Sequence, residues 1–144
     1  MRAGEYTVRG VQKMSGERNL AILMQSMNPQ LDPDDYVFCS VPFGEEVGLT
    51  GDAWAMIRES EGVTLTLTRT AADRNRLPYE ALFRRITLNV HSSLEAVGLT
   101  AAVSNRLAEW EISANVVAGF YHDHIFVPSA DADRALAALE ALGR

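Results

Sequence analysis

The chain has 144 residues, 47% of them apolar and 22% charged, with a formal net charge of −6. That size suits one compact domain or two small subdomains with a real core, and the negative balance argues against nucleic acid, which needs a basic face. No apolar run is long enough to span a bilayer, the start MRAGEYTVRG lacks the apolar centre of a signal peptide, and the single cysteine, Cys39, excludes an internal disulfide, so the expected compartment is the cytoplasm.

In chain order, Tyr6, Val8 and Val11 suggest a short strand. Ser15 or Gly16 can start a helix whose apolar stripe is Leu20, Leu23, Met24 and Met27, with Asn28-Pro29 as its stop. Leu31–Asp35 reads as a turn-rich, solvated link, and Tyr36–Val41 as a buried strand before a loop over Phe43–Thr50. Ala53–Arg58 and Val63–Thr68 form a predicted hairpin around Glu61-Gly62, with Val63, Leu65 and Leu67 on one face and Thr64, Thr66 and Thr68 on the other. The threonine face suits either a subunit contact or water. A short helix over Thr70–Arg76 is broken by Pro78-Tyr79.

The second half is more regular. Ile86, Leu88 and Val90 alternate with Thr87 and Asn89 as in a half-buried strand, and a polar loop follows from His91 to Glu95. Leu99, Val103, Leu107 and Trp110 recur at helical spacing, which places Trp110 in the core. Asn115–Tyr121 and His124–Val127 read as strands, and Ala132, Ala135, Leu136, Leu139 and Leu142 stripe a closing helix. The order is βαββα twice, an α+β pattern of the ferredoxin-like kind. A fourth strand is missing from the second unit; either Tyr6–Val11 fills the place by strand exchange, which is preferred, or the sheet stays incomplete.

Three runs carry a family resemblance. Val97-Gly98-Leu99-Thr100-Ala101-Ala102-Val103 is similar to the Gly-Val-x-Ala-x-Val corner of ACT domains. Leu107–Val116 is similar to their LAxxGINI run, and Asp131–Leu139 to their closing helix. The match is nearest to the aspartate-kinase type and to small stand-alone bacterial proteins with two ACT-like units in tandem. It departs at Val97, where proline is frequent, and at Glu111, where glycine is usual. The resemblance implies two ACT-type βαββαβ units, here divided as residues 1–78 and 79–144. It further implies a non-catalytic regulatory module that binds a free amino acid at the junction of units, without a cofactor, and that forms a homodimer. Carried over residue by residue, the ligand site is Glu95, Val97, Gly98, Leu99 and Thr100 with Asn115, Val116 and Val117.

The chemistry of that corner is consistent with the implication. A helix start presents backbone N–H groups and partial positive charge to a carboxylate, Gly98 permits close approach, and Glu95 or Asp123 can face an ammonium group. A plain strand-to-helix connection explains the same residues. The assembly alternative is a ligand-free interaction protein. His122 and His124, with His91, offer a further alternative as metal ligands, against the plainer reading of a polar hairpin tip. Ser92, His91 and Asp123 have no spacing that requires a catalytic triad. Trp54, near the Phe43–Asp52 loop, either lids a pocket, anchors a subunit contact or, as preferred, packs within the first unit.

Overall fold

A computed structural model describes residues 16–89 and 98–144, with side chains from residue 21 onward. Helix α1 spans Gly16–Gln25 and strand β1 Pro29–Val41. A 3₁₀ turn over Glu45–Leu49 leads to β2 (Ala53–Arg58) and β3 (Val63–Thr68), then to α2 (Arg69–Arg74) and β4 (Phe83–Leu88). The second half supplies α3 (Leu99–Glu109), β5 (Asn115–Ala118), β6 (Asp123–Pro128) and α4 (Ala132–Leu142). The strands join in one antiparallel sheet of order β2-β3-β1-β4-β6-β5. Among the described residues no helix is long and apolar enough to cross a membrane.

The hairpin, α3 and α4 lie where their periodicity placed them, whereas β5 ends at Ala118 rather than at Tyr121, and Val90 lies outside the described residues. Thr68 leaves the threonine face to cap α2, its Oγ1 accepting the Ala71 N–H at 3.1 Å. Leu31–Asp35 is not a link. It belongs to β1, and a register shift between Leu31 and Asp35 accommodates Pro33, which gives the ladder no donor. Trp110 is not core either. It sits at the end of α3, 37% exposed, with its carbonyl accepting from Arg134.

The pairing of β1 explains how the units are completed. Its second half, Tyr36–Val41, pairs with β3, while Pro29–Leu31 pairs with Leu88–Ile86 of β4. The place expected for Tyr6–Val11 is therefore taken by the start of β1, and Tyr6–Val11 itself lies outside the described residues. Strand β4 is shared in the same way, since Phe83 and Arg84 pair with Tyr36 and Asp35 of β1. Each unit thus has a ferredoxin-like set of four strands, with β1 and β4 common to both.

Alternation along these strands puts both helix-covered cores on one sheet face. Val37, Cys39, Val41, Leu65 and Leu67 pack with α2 in the first unit. Ile86, Leu88, Ile125 and Val127 pack with α3 and α4 in the second, joined by Leu23 and Met27 from α1 and its end. The opposite face is not wet. Strands β2 and β6 are separated by three others, roughly 19 Å across a flat sheet, yet Trp54 and Phe126 have ring centroids 5.2 Å apart. The sheet coils until its second face closes on itself.

Glu111 follows α3 with φ +58°, a left-handed conformation that favours glycine, the residue usual there in the resembled family. Glu111→Gly is expected to stabilise the protein by about 0.5–1 kcal/mol, the relief of backbone strain exceeding glycine's greater loss of chain freedom. A rise in the urea midpoint at unchanged slope is the check.

Candidate functional site

The second face holds both the aromatic residues and the polar chemistry. Tyr36 and Phe38 point to it from β1, Phe83 and Arg85 from β4, and Phe126 and His124 from β6, as the pairs Tyr36–Phe83 and Arg85–Phe126 require. Phe38 meets Phe83 and Phe126 edge-on, with centroids 5.1 and 5.4 Å apart. Trp54 reaches this face through a bulge. Ala53 pairs with Leu67 and Ala55 with Thr66, leaving Trp54 as an extra residue on β2. Its ring lies against His124 and Phe126 in the second unit. The preferred packing of Trp54 within the first unit is thereby corrected. Thr66, expected either at a subunit contact or in water, is buried beneath this face.

At one end the closed face opens into a cleft of about 600 Å³. Its floor is Phe38 and Phe83, the connection Pro78–Ala81 passes along one side, and Ser40 and Asn115 stand at its rim. Asn115 is held by its Nδ2 donating to the Phe126 carbonyl at 3.3 Å, which leaves its Oδ1 for another partner. Tyr79 is fixed by donating its hydroxyl to Asp73 at 2.8 Å. Glu80 is the one acidic side chain of the lining.

At the other end of the same face lies a half-buried charged cluster. Arg85 pairs with Asp32 at 2.8 Å and lies over the rings of Tyr36 and Trp54, 5.5 and 5.3 Å from their centroids. It also donates to Thr87 Oγ1 at 2.7 Å. Thr87 Oγ1 lies 2.9 Å from His124 Nδ1. Arg85 Nη1 also lies 3.4 Å from His124 Nδ1, and because arginine only donates, Nδ1 is the acceptor and the neutral imidazole carries its proton on Nε2. Burial, then the positive charges of Arg85 and His122, push the His124 pKa down to about 4. Burial raises the Asp123 carboxyl.

These shifts set a pH dependence. Below about 6.5 an unfolded His124 takes up a proton that the folded one refuses until about pH 4. Stability is therefore expected to fall as pH drops through that window, by about 1–2 kcal/mol because water screens the half-buried ring, and to level below it. Asp123 acts with the opposite sign, since its raised pKa favours the folded state as it protonates. Denaturation midpoints measured from pH 7.5 to 3.5 should show the loss in the parent protein and a flatter profile in His124→Gln.

Of the eight sequence-derived site residues, six are described. Glu95 and Val97 lie outside the described residues, as do His91, Ser92 and Ser93. Gly98 precedes α3 with φ +103°, which only glycine adopts readily. Leu99 is buried in the second-unit core and can offer a ligand only its backbone, whereas Thr100 is exposed. Asn115, Val116 and Val117 form the edge strand β5, with Val116 and Asn115 exposed. Gly98, Leu99 and Thr100 stand at the start of α3, and Asn115, Val116 and Val117 on β5. Phe38, Ser40, Phe83 and the Pro78–Ala81 connection join Asn115 around the cleft. Only the aromatic content of Tyr36–Val41 and Phe83 hinted at them. His124 turns Nδ1 to Thr87, and among the described residues no three His, Cys, Asp or Glu side chains converge as a metal site.

Two ACT domain profiles match in tandem, over residues 15–84 and 83–141. The chain belongs to the ACT domain family. The match boundary falls in β4, the strand that both ACT units share. Among solved structures, a Vibrio cholerae protein of unknown function, described as a possible transport protein, is 49% identical with a TM-score of 0.79, covering 90% of this chain and 100% of its own. An Agrobacterium tumefaciens protein has a TM-score of 0.65 at 16% identity, covering 80% of this chain and 87% of that one. The regulatory subunit of aspartate kinase from Thermus thermophilus, in ligand-free form, has a TM-score of 0.59 at 12% identity, covering 81% and 97%. These last two share the tandem ACT fold. Comparison with curated proteins finds no match.

Proposed function

We propose that this tandem ACT protein is a non-catalytic regulatory module that binds a free amino acid at the junction of its two units. The observation that carries the reading is the cleft of about 600 Å³ between Phe38 and Ser40 of β1 and Asn115 of β5, a volume within the range of about 300–1,000 Å³ usual for small ligands. The free Oδ1 of Asn115 and the carboxylate of Glu80 would take the ammonium group, Ser40 would donate to the carboxylate, and the edges of Phe38 and Phe83 would pack the ligand side chain. Binding would act by shifting an equilibrium of assembly or partner contact. In the arrangement that the family resemblance implies, Glu95, Val97, Gly98, Leu99 and Thr100 of one unit face Asn115, Val116 and Val117 of a neighbouring unit, and the position of β5 as the outermost described strand supports a homodimer.

A thermal-shift screen against the twenty amino acids tests the reading. A ligand at about 100 times its Kd should stabilise the folded state by about 2.7 kcal/mol, and Asn115→Ala should abolish the shift while leaving the unliganded melting temperature nearly unchanged, because Asn115 is exposed. Absence of a shift with every amino acid would favour a ligand-free assembly module. The exposed Val116 on β5, the outermost strand among the described residues, favours that second reading, and sedimentation of Val116→Lys would test it.

A further inference from the structure

The two units repeat one register, so each position on the closed face has a counterpart. In the first unit Phe38 faces Thr66 and Thr66 faces Ala55; in the second, Arg85 faces Phe126 and Phe126 faces Asn115. One row on, Ser40 and Thr64 correspond to Thr87 and His124. The units meet at the pair Tyr36–Phe83. Exchanging them carries Phe38 to Arg85, Ser40 to Thr87, Phe83 to Tyr36 and Asn115 to Ala55. The cleft therefore has a counterpart at the other end of the face, bounded by Arg85, Thr87 and Tyr36.

That counterpart is full. The bulge beside Ala55 inserts the indole of Trp54, which β5 has no residue to match. Its ring lies 5.3 Å from the Arg85 guanidinium and 4.9 Å from the His124 ring. Asp32, whose segment precedes Tyr36 as Pro78–Ala81 precedes Phe83, closes on Arg85 at 2.8 Å. A planar aromatic group occupies the place where the open cleft would hold its ligand, and a cation stacks on it.

We propose that the chain carries two versions of one site, the cleft at Asn115 open to a free ligand and its counterpart occupied by the protein's own Trp54. The inference rests on reading the cleft as a ligand site, and it assigns one amino acid per chain. It also assigns the chemical class that the counterpart accepts once vacated, a planar aromatic molecule.

Equilibrium dialysis with indole tests it. Trp54→Gly is expected to bind one more indole per chain than the parent and to gain melting temperature with indole where the parent does not; equal binding would overturn the proposal. Should Trp54→Gly fail to fold by circular dichroism, acrylamide quenching of Trp110→Phe decides, because Trp54 is then the sole tryptophan. A quenching constant several-fold below that of N-acetyltryptophanamide is expected, and one equal to it would overturn the proposal. Neither experiment uses an amino acid, so a silent amino-acid screen would count against the function proposed above without touching these outcomes.

Discussion

Phe126→Ala is expected to lower the unfolding free energy by about 3–5 kcal/mol, the range for truncating a buried aromatic residue. Phe126 is 0% exposed and stands at the centre of the closed face. Its ring meets Tyr36 and Phe38 of β1 and Trp54 of β2 edge-on, so β6 loses its contacts to both strands when it is removed. The surroundings cannot collapse into the void, because the neighbouring rings are held by β1 and β2 of a hydrogen-bonded sheet. Against a typical total of about 5–15 kcal/mol, the loss leaves a marginal protein. Urea denaturation of the parent, Phe126→Leu and Phe126→Ala should rank them in that order. A cost below about 1 kcal/mol for the alanine variant would show that the second face is wet, contrary to the coiled sheet.

Asp32→Asn carries the second large effect. It keeps the shape of the side chain and removes the charge facing Arg85, with which it forms a pair 16% and 22% exposed. Arg85 Nε is already buried without a hydrogen-bond partner among the described residues, so the guanidinium has little to fall back on. A loss of about 2–3 kcal/mol is expected, below the fully buried range of about 3–5 because water reaches part of the pair. Adding Arg85→Met removes the uncompensated charge, and the double variant should recover much of the loss. A double-mutant cycle on urea midpoints measures the coupling, and additive single effects would show that the pair is solvent-screened.

The elements of the second half were legible because their periodicity matched their burial. Ile86 and Leu88 alternate against a wet-looking Thr87, and Leu99, Val103 and Leu107 stripe α3 toward the core. The closed face was not legible for the same reason. An alternating strand is read as having one wet side, yet Thr66, Thr87 and Arg85 are the polar partners of an interior that exists only because the sheet coils. Thr66 is compatible with either surroundings. Asp32, Pro33, Asp34 and Asp35 carry every local sign of a turn, and only the register shift that absorbs Pro33 makes them part of β1. Trp110 fits the stripe of α3 by spacing but falls one residue beyond the helix, where the backbone turns away. The candidate cleft escaped because Phe38, Phe83 and Asn115 come from three distant stretches and are joined by topology alone.

The sharing of β1 and β4 bears on how the chain is made. The first unit has no closing strand until Phe83 and Arg84 are synthesised, and the start of β1 waits for Ile86–Leu88 before it finds its partner. Neither half is a self-sufficient folding nucleus, and the pairing of Pro29 with Leu88 demands the closure of a long loop. Folding should be slow for a protein of this size and should proceed as one cooperative event, with a single kinetic phase for both ends of the sheet. Cutting the chain at the sequence boundary between units would therefore yield two sticky fragments with unpaired strand edges rather than two working modules.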